Sequence, residues 1–226
     1  DALRVRVVAD PLDAARALAD ELGGLLGTLR AAGRRPALGF AAGRTPRGLY
    51  AELARAERAA DLDWTDVECF HLDEYLGLSA GHPASFRADL RRALHDPLGI
   101  PDQRVHFPID DAGDDPSEAC ARYEARIRAA GGLDWQLLGL GGNGHVAFNE
   151  PGSAPDSRTR VVELSASTRE ANRGDFASLD EVPSYAATMG IATIRDARRL
   201  RWMAFGAGKA EIVARWLDEP ASAELP

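Results

Sequence analysis

The sequence predicts an α/β fold, with a mostly parallel central sheet and helices on both faces. Three observations carry that reading. Short apolar runs alternate with stretches of helical periodicity along all 226 residues. Proline, glycine and small polar residues mark the junctions between them. No repeat, low-complexity tract or linker interrupts the alternation, so one domain over residues 1–226 is the better count.

The elements follow in order. Residues 4–8 (RVRVV) alternate charge and valine as a first strand would, and 11–31 carry apolar residues at helical spacing. Residues 36–40 predict a second strand, and Pro46 opens the next helix, where its missing amide costs nothing. Residues 67–72 predict a third strand, 73–83 a loop and 85–94 a helix. A short strand at 104–107, an acidic turn at 110–116 and a helix at 116–130 come next. Residues 135–140 are a strong apolar strand, broken by Gly141 and Gly142. Residues 149–160 predict a loop and 161–164 a strand. A short helix at 194–198, a strand at 200–205 and a last helix through 217, opened by Gly206-Ala207-Gly208, complete the pattern.

Composition narrows the function. Hydrophobic residues make up 45% and charged residues 27%, an ordinary globular mix. A net charge of −8 argues against a nucleic-acid groove, which needs clustered cations. No run approaches the roughly 20 apolar residues of a membrane span. The start, Asp1-Ala2-Leu3-Arg4, lacks a signal-peptide pattern, and the absent Met predicts a trimmed terminus. Cys69 and Cys120 lie in apolar segments and predict buried free thiols in a reducing cytoplasm. Neither belongs to a metal-ligand pattern, so no metal is expected. Of 27 cationic residues only Lys209 is a lysine, and Asn occurs only at 143, 149 and 172. In a chain so poor in both types, these positions stand out as candidates for chemistry.

Ligands of open α/β sheets bind beyond the carboxyl ends of the strands, and four such ends carry unusual residues. LGFAAGRTP (38–46) offers Gly43 for close backbone approach, with Arg44 and Thr45 at a helix start suited to an anion. FHLDEYLGL (70–78) ends an apolar strand in adjacent carboxylates, of which Asp73 suits a base toward a carbon acid. LLGLGGNGHVAFNEPGS (137–153) sets His145 in a glycine-rich turn with Glu150 five residues on, a carboxylate able to fix an imidazole tautomer. Arg169 in SASTRE and Lys209 in GAGKA add phosphate-binding cations.

These segments, taken in order, resemble the glucosamine-6-phosphate deaminase family, also called glucosamine-6-phosphate isomerases. The resemblance rests on LGFAAGRTPRGLY, FHLDEYLGL, GHPASF, LGLGGNGHVAFNEPGS, SRTR, STREAN and FGAGKA, and covers nearly the whole chain. It implies a Rossmann-like fold of the sugar-isomerase type. It implies conversion of glucosamine 6-phosphate to fructose 6-phosphate and ammonia, without metal or organic cofactor. Asp73 then resembles the base that moves a proton between C2 and C1. His145 resembles the acid/base of ring opening, oriented and tuned by Asn143 and Glu150. Gly43, Arg44, Thr45, Arg169 and Lys209 resemble the phosphate cradle. The implied partner is a small amino-sugar phosphate, with the chain a monomer or a homo-oligomer.

Several features depart from the family. Asn143 stands where many members carry Asp, which leaves Glu150 as the only ionised partner of His145. Arg44 occupies a site where small residues are frequent. Val162 replaces a basic residue of the allosteric phosphate site of regulated hexameric members, so amino-sugar-phosphate activation is not expected. The family usually continues beyond the Lys209 helix, so a C-terminal family segment is expected to be absent. The alternatives are a galactosamine 6-phosphate or other sugar-phosphate isomerase, a 6-phosphogluconolactonase-like hydrolase, or a non-catalytic sugar-phosphate sensor. The last normally needs an output module.

Overall fold

The computed structural model describes residues 3–58, 62–110, 113, 115–220, 222 and 225. The expected turn at 110–116 lies partly outside them, at 111, 112 and 114. The strands are β1 (Ala37–Phe40), β2 (Glu68–His71), β3 (Asp73–Tyr75), β4 (Val105–His106), β5 (Trp135–Gly139), β6 (Arg160–Glu163), β7 (Tyr185–Thr188) and β8 (Leu200–Met203). The helices are α1 (Pro11–Ala31), α2 (Arg47–Arg58), α3 (Phe86–Leu90), α4 (Pro116–Ala129), α5 (Ala166–Asn172), α6 (Ile191–Arg195) and α7 (Ala210–Asp218). A π-helical turn, Arg91–His95, follows α3.

Helix starts follow the capping rules. The Asp10 carboxylate accepts from the amides of Leu12 and Asp13, ahead of Pro11. Asp115 does the same for Glu118, ahead of Pro116.

Five strands form a parallel sheet in the order β4-β2-β1-β5-β8. The chain runs from β1 outward to β2 and β4, then returns to the other side of β1 for β5 and β8. The strand order therefore reverses between β1 and β5. In open α/β sheets such a reversal is where ligands bind, beyond the carboxyl ends of the strands.

Alternation along the strands sends side chains to two cores. Leu38, Phe40, Cys69 and Leu137 pack with Trp64, Trp135 and the buried faces of α1 and α2. Phe70, Leu72 and Leu138 pack on the other side with Tyr123 and Ile127 of α4 and with Ile194 of α6. Helices thus cover both faces. Both cysteines are buried free thiols. At the base of the sheet, buried Asp134 accepts from Arg34 (2.6 Å), Arg198 (3.3 Å) and the Ala37 amide (3.2 Å), pinning β1 beside β5. Among the described residues no helix is long and apolar enough to cross a membrane.

Three expectations need correction. Residues 4–8 form no strand, and Val5 and Val7 are 59% and 92% exposed. Their alternation is strand-like, but among the described residues no strand pairs with them. The predicted loop at 73–83 begins as β3, because an antiparallel partner, β7, overrides the poor strand propensity of Asp73 and Glu74. The short helix expected at 194–198 lies at Ile191–Arg195, begun by Gly190 and ended ahead of β8.

β3, β7 and β6 make a second, antiparallel sheet. Its central strand was not legible in the sequence. Gly190 joins that strand to α6 against the backbone of 157–158. A Cβ there would lie 2.2 Å from the Ser157 carbonyl oxygen and 2.4 Å from that of Arg158. Gly190→Ala is expected to cost about 2 kcal/mol or more and to lower Tm by roughly 4–8 °C. A thermal melt checks this, and an unchanged Tm would contradict it.

Candidate active site

Three of the sequence-predicted residues are joined by hydrogen bonds in the turn after β5. Gly144 turns the chain at φ 93°, and the Gly141 amide donates to the His145 carbonyl oxygen (2.9 Å). A Cβ on Gly141 would fall 2.4 Å from the imidazole, so only glycine leaves room for the His145 ring. The following turn is closed by Val146 and Asn149 and holds Ala147 at φ 53°. That left-handed backbone stores about 1 kcal/mol or more of strain in a non-glycine residue.

The bonds fix the protonation pattern. Asn143 Nδ2 donates to Glu150 Oε2 (2.7 Å), because a carboxylate can only accept. The amide oxygen of Asn143 therefore faces His145 and accepts from its backbone amide (3.1 Å) and from ring Nδ1 (2.7 Å). Nδ1 must carry the proton, which leaves Nε2 with a free lone pair. Glu150 Oε2 stands 3.7 Å from Nδ1, close enough for its charge to act on the ring without contact.

Burial pushes the His145 imidazole down, Glu150 pulls it back up, and Lys209 pushes it down; the net shift is downward. The ring is neutral at pH 7. Burial alone would raise Glu150. Hydrogen bonds from Thr168 and Asn143, the proximity of His145 and a bond from Ser165 more than offset it, and hold Glu150 below the usual carboxylate range.

Asp73, at the start of β3 just past the end of β2, is 8% exposed. Among the described residues no group donates a hydrogen bond to it. Burial, and then the charge of Glu74, push its carboxyl up to about 8. Thr188 ties it to the His145 turn. That residue opposes Asp73 across the β3–β7 ladder, and its hydroxyl accepts from the Phe148 amide (3.2 Å).

Two of the three cation-bearing segments follow strands of the parallel sheet, β1 and β8, and the third, with Arg169, lies on α5 after β6. Gly43 (φ 90°), Arg44 and Thr45 form an exposed turn after β1. Lys209 closes the 3-10 turn after β8, and its charge reaches His145. Arg169 is turned toward backbone: Nη2 donates to the carbonyl oxygens of Leu179 (2.9 Å) and Val182 (3.0 Å), and Nε to Val182 (3.2 Å). Its Nη1 takes no partner among the described residues. Val162 packs as an apolar side chain with Tyr75, Phe148 and Leu164. No group of three or more His, Cys, Asp or Glu able to hold a metal occurs among the described residues.

Sequence reasoning missed Thr188, Ser165 and Thr168. Ser165 caps α5 through the Thr168 amide (3.1 Å), a capping signal present in SASTRE, but nothing local pointed to Glu150 as their common acceptor.

A family model described as glucosamine-6-phosphate isomerases/6-phosphogluconolactonase matches residues 9–226. The chain belongs to this family. It is 46% identical over 186 residues to the glucosamine-6-phosphate deaminase of Arthrobacter sp. (strain FB24), covering 82% of this chain and 71% of that protein. It is 40% identical over 224 residues to the glucosamine-6-phosphate deaminase of Cutibacterium acnes, covering 99% and 84%. Among solved structures, a monomeric glucosamine-6-phosphate deaminase superposes with a TM-score of 0.85 at 36% identity, covering 96% of this chain and 86% of that one.

The Asp73 environment has a stability consequence. The native carboxyl titrates around a midpoint pushed up to about 8, whereas that of an unfolded aspartate lies near ~3.9. Between those values the native state binds the extra proton, so this contribution to stability falls as pH rises. Asp73→Asn is therefore expected to raise Tm by an amount that grows from pH 4 to pH 8. Melts across that range check it, and a gain independent of pH would contradict it.

Proposed function

We propose that the chain converts glucosamine 6-phosphate and water into fructose 6-phosphate and ammonia. The observation that carries this reading is a pair of separate proton-transfer groups at one sheet edge. One is a neutral imidazole, His145, of fixed tautomer. The other is a buried, unpartnered carboxyl, Asp73.

The chemistry needs both. The closed sugar has no acidic carbon, so the ring must open first. Nε2 of His145 takes the C1 hydroxyl proton and returns a proton to the ring oxygen as the C1–O5 bond breaks. Asn143 keeps Nε2 as the free nitrogen, and Glu150 supports the transient imidazolium by charge. In the open aldehyde, ionised Asp73 removes the C2 proton while O1 takes up a proton, which gives an enolamine. Protonated Asp73 then returns its proton to C1 and the nitrogen releases one, which yields the C2 imine. Water adds at C2 and ammonia leaves, which makes the ketose. The steps are proton transfers, opening of the C1–O5 bond and an exchange of water for ammonia, so no cofactor is invoked.

The turn at Gly43, Arg44 and Thr45, with Lys209 and Nη1 of Arg169, would hold the remote phosphate. Its binding energy orients C1 and C2. The buried thiols Cys69 and Cys120 support a cytoplasmic setting.

The test incubates purified protein with glucosamine 6-phosphate and follows ammonia and fructose 6-phosphate together. Equal release of both is expected, with Asp73→Asn abolishing both. Ketose without ammonia, or activity only on a lactone or on galactosamine 6-phosphate, would overturn the reading.

Two further variants probe the ring-opening group. Glu150→Gln removes a charge that holds the imidazole up. It is expected to lower kcat by about 10–100-fold and to move the His145 limb of the pH–rate profile to lower pH. An untouched profile and turnover would show that Glu150 is not the ionised partner. Gly141→Ala displaces the His145 ring and should cost activity on a similar scale while the protein stays folded. Full activity would show that the ring does not need this space.

A further inference from the structure

Two neighbouring carboxylates at the start of β3 live in opposite surroundings. Asp73 has no hydrogen-bond donor among the described residues. Glu74, only 5% exposed, has three: Oε1 accepts from the amides of Tyr75 (2.8 Å) and Phe86 (3.1 Å), and Oε2 from that of Arg87 (2.8 Å). Phe86 and Arg87 are the first two residues of α3, so this carboxylate closes the 76–85 loop onto β3.

Three amides without a bonded cation are the arrangement that holds a buried carboxylate ionised. Arg87 is the cation whose charge acts on Glu74, and its side chain is engaged elsewhere. Nη2 donates to Asp110 (2.8 Å), and the guanidinium lies 4.4 Å over the Phe107 ring. A charge on Glu74 is therefore fixed in place and, among the described residues, bonded only to amides.

We propose that Glu74 is a positioning residue for Asp73, an amide-held fixed charge that disfavours a second charge on its neighbour while anchoring β3 to α3. This rests on the reading of Asp73 as the C2 base. The side chains of 73 and 74 point to opposite faces of the strand, so the effect acts through space across the backbone.

The other groups facing the pair do not replace it. Tyr75 on the same strand and Tyr123 from α4 are both pushed up by burial and stay protonated. Arg87 from α3 acts on Glu74 in the opposite sense, helping it ionise. Burial raises the Glu74 carboxyl, and the net shift is upward even though the three amides and Arg87 each pull against it. The division of labour suits catalysis. A carboxyl that titrates near the working pH is a stronger carbon base than an ordinary aspartate, yet remains partly ionised.

The test titrates the side-chain carboxyl carbons by 13C NMR in the intact protein, with Asp73 assigned through Asp73→Asn. In the parent, Glu74 is expected to stay ionised while Asp73 titrates above it. Glu74→Gln, which keeps an acceptor for the amides, should move the Asp73 midpoint down by about one pH unit or more. The acid limb of kcat/KM should follow it, and Glu74→Asp should restore much of the shift.

An unmoved Asp73 midpoint in Glu74→Gln would overturn the proposal. So would a parent in which Glu74 titrates above Asp73, a measurement that stands even if the variant fails to fold. These readouts do not depend on ammonia release. A shifted midpoint without deaminase activity would instead count against the proposed function.

Discussion

The site depends on one residue of the small antiparallel sheet. Thr188, wholly buried in β7, stands opposite Asp73 in one ladder and opposite Arg160 in the other. Its hydroxyl also receives the Phe148 amide, inside the turn between His145 and Glu150. Arg160 reaches back to the same turn, donating to the buried Asn149 amide oxygen (2.8 Å), while Asn149 donates to Val146 and Met189 carbonyls (2.9 Å each). The Asp73 carboxyl and the turn that carries the His145 imidazole are thus both held against a common strand rather than on two independent loops. Preorganisation of this kind lets weak acids and bases act on adjacent carbons.

The environments of the ionisable groups diverge over a short stretch of structure. Glu150 is surrounded by donors and kept charged. Asp73 is deprived of donors and kept basic. His145 is held neutral, with one nitrogen committed to Asn143. Asn143 in place of a carboxylate changes how the ring is supported, not whether it is oriented. The amide passes orientation to the imidazole, and Glu150 supplies charge from 3.7 Å. The buried pair His71 and His95, joined through their Nε2 atoms at 2.8 Å, adds no charge near neutral pH, because burial holds both rings low.

Much of this was legible in the sequence, for physical reasons. Apolar runs such as 135–140 are buried on both faces, and the glycines after them mark where the backbone must turn tightly. The clustering of Asp73, His145, Glu150 and Lys209 at strand ends follows from the rule for open α/β sheets. What stayed hidden was non-local. β7 has no distinctive periodicity, and β3 begins with two charges that argue against a strand. RVRVV at 4–8 has the right alternation but no partner strand among the described residues. Arg169 looked like a free cation, because nothing in SASTRE reveals that two carbonyl groups, of Leu179 and Val182, would claim much of its guanidinium.

The central claim is that ring opening and C2 proton removal belong to different groups on one scaffold. Asp73→Asn separates them. Exchange NMR can follow interconversion of the α and β anomers of glucosamine 6-phosphate in the presence of that variant, while deuterium uptake at C2 is monitored in heavy water. The account predicts that anomer exchange remains accelerated through His145 and that C2 keeps its proton. Loss of both, or continued deuterium uptake at C2, would contradict it.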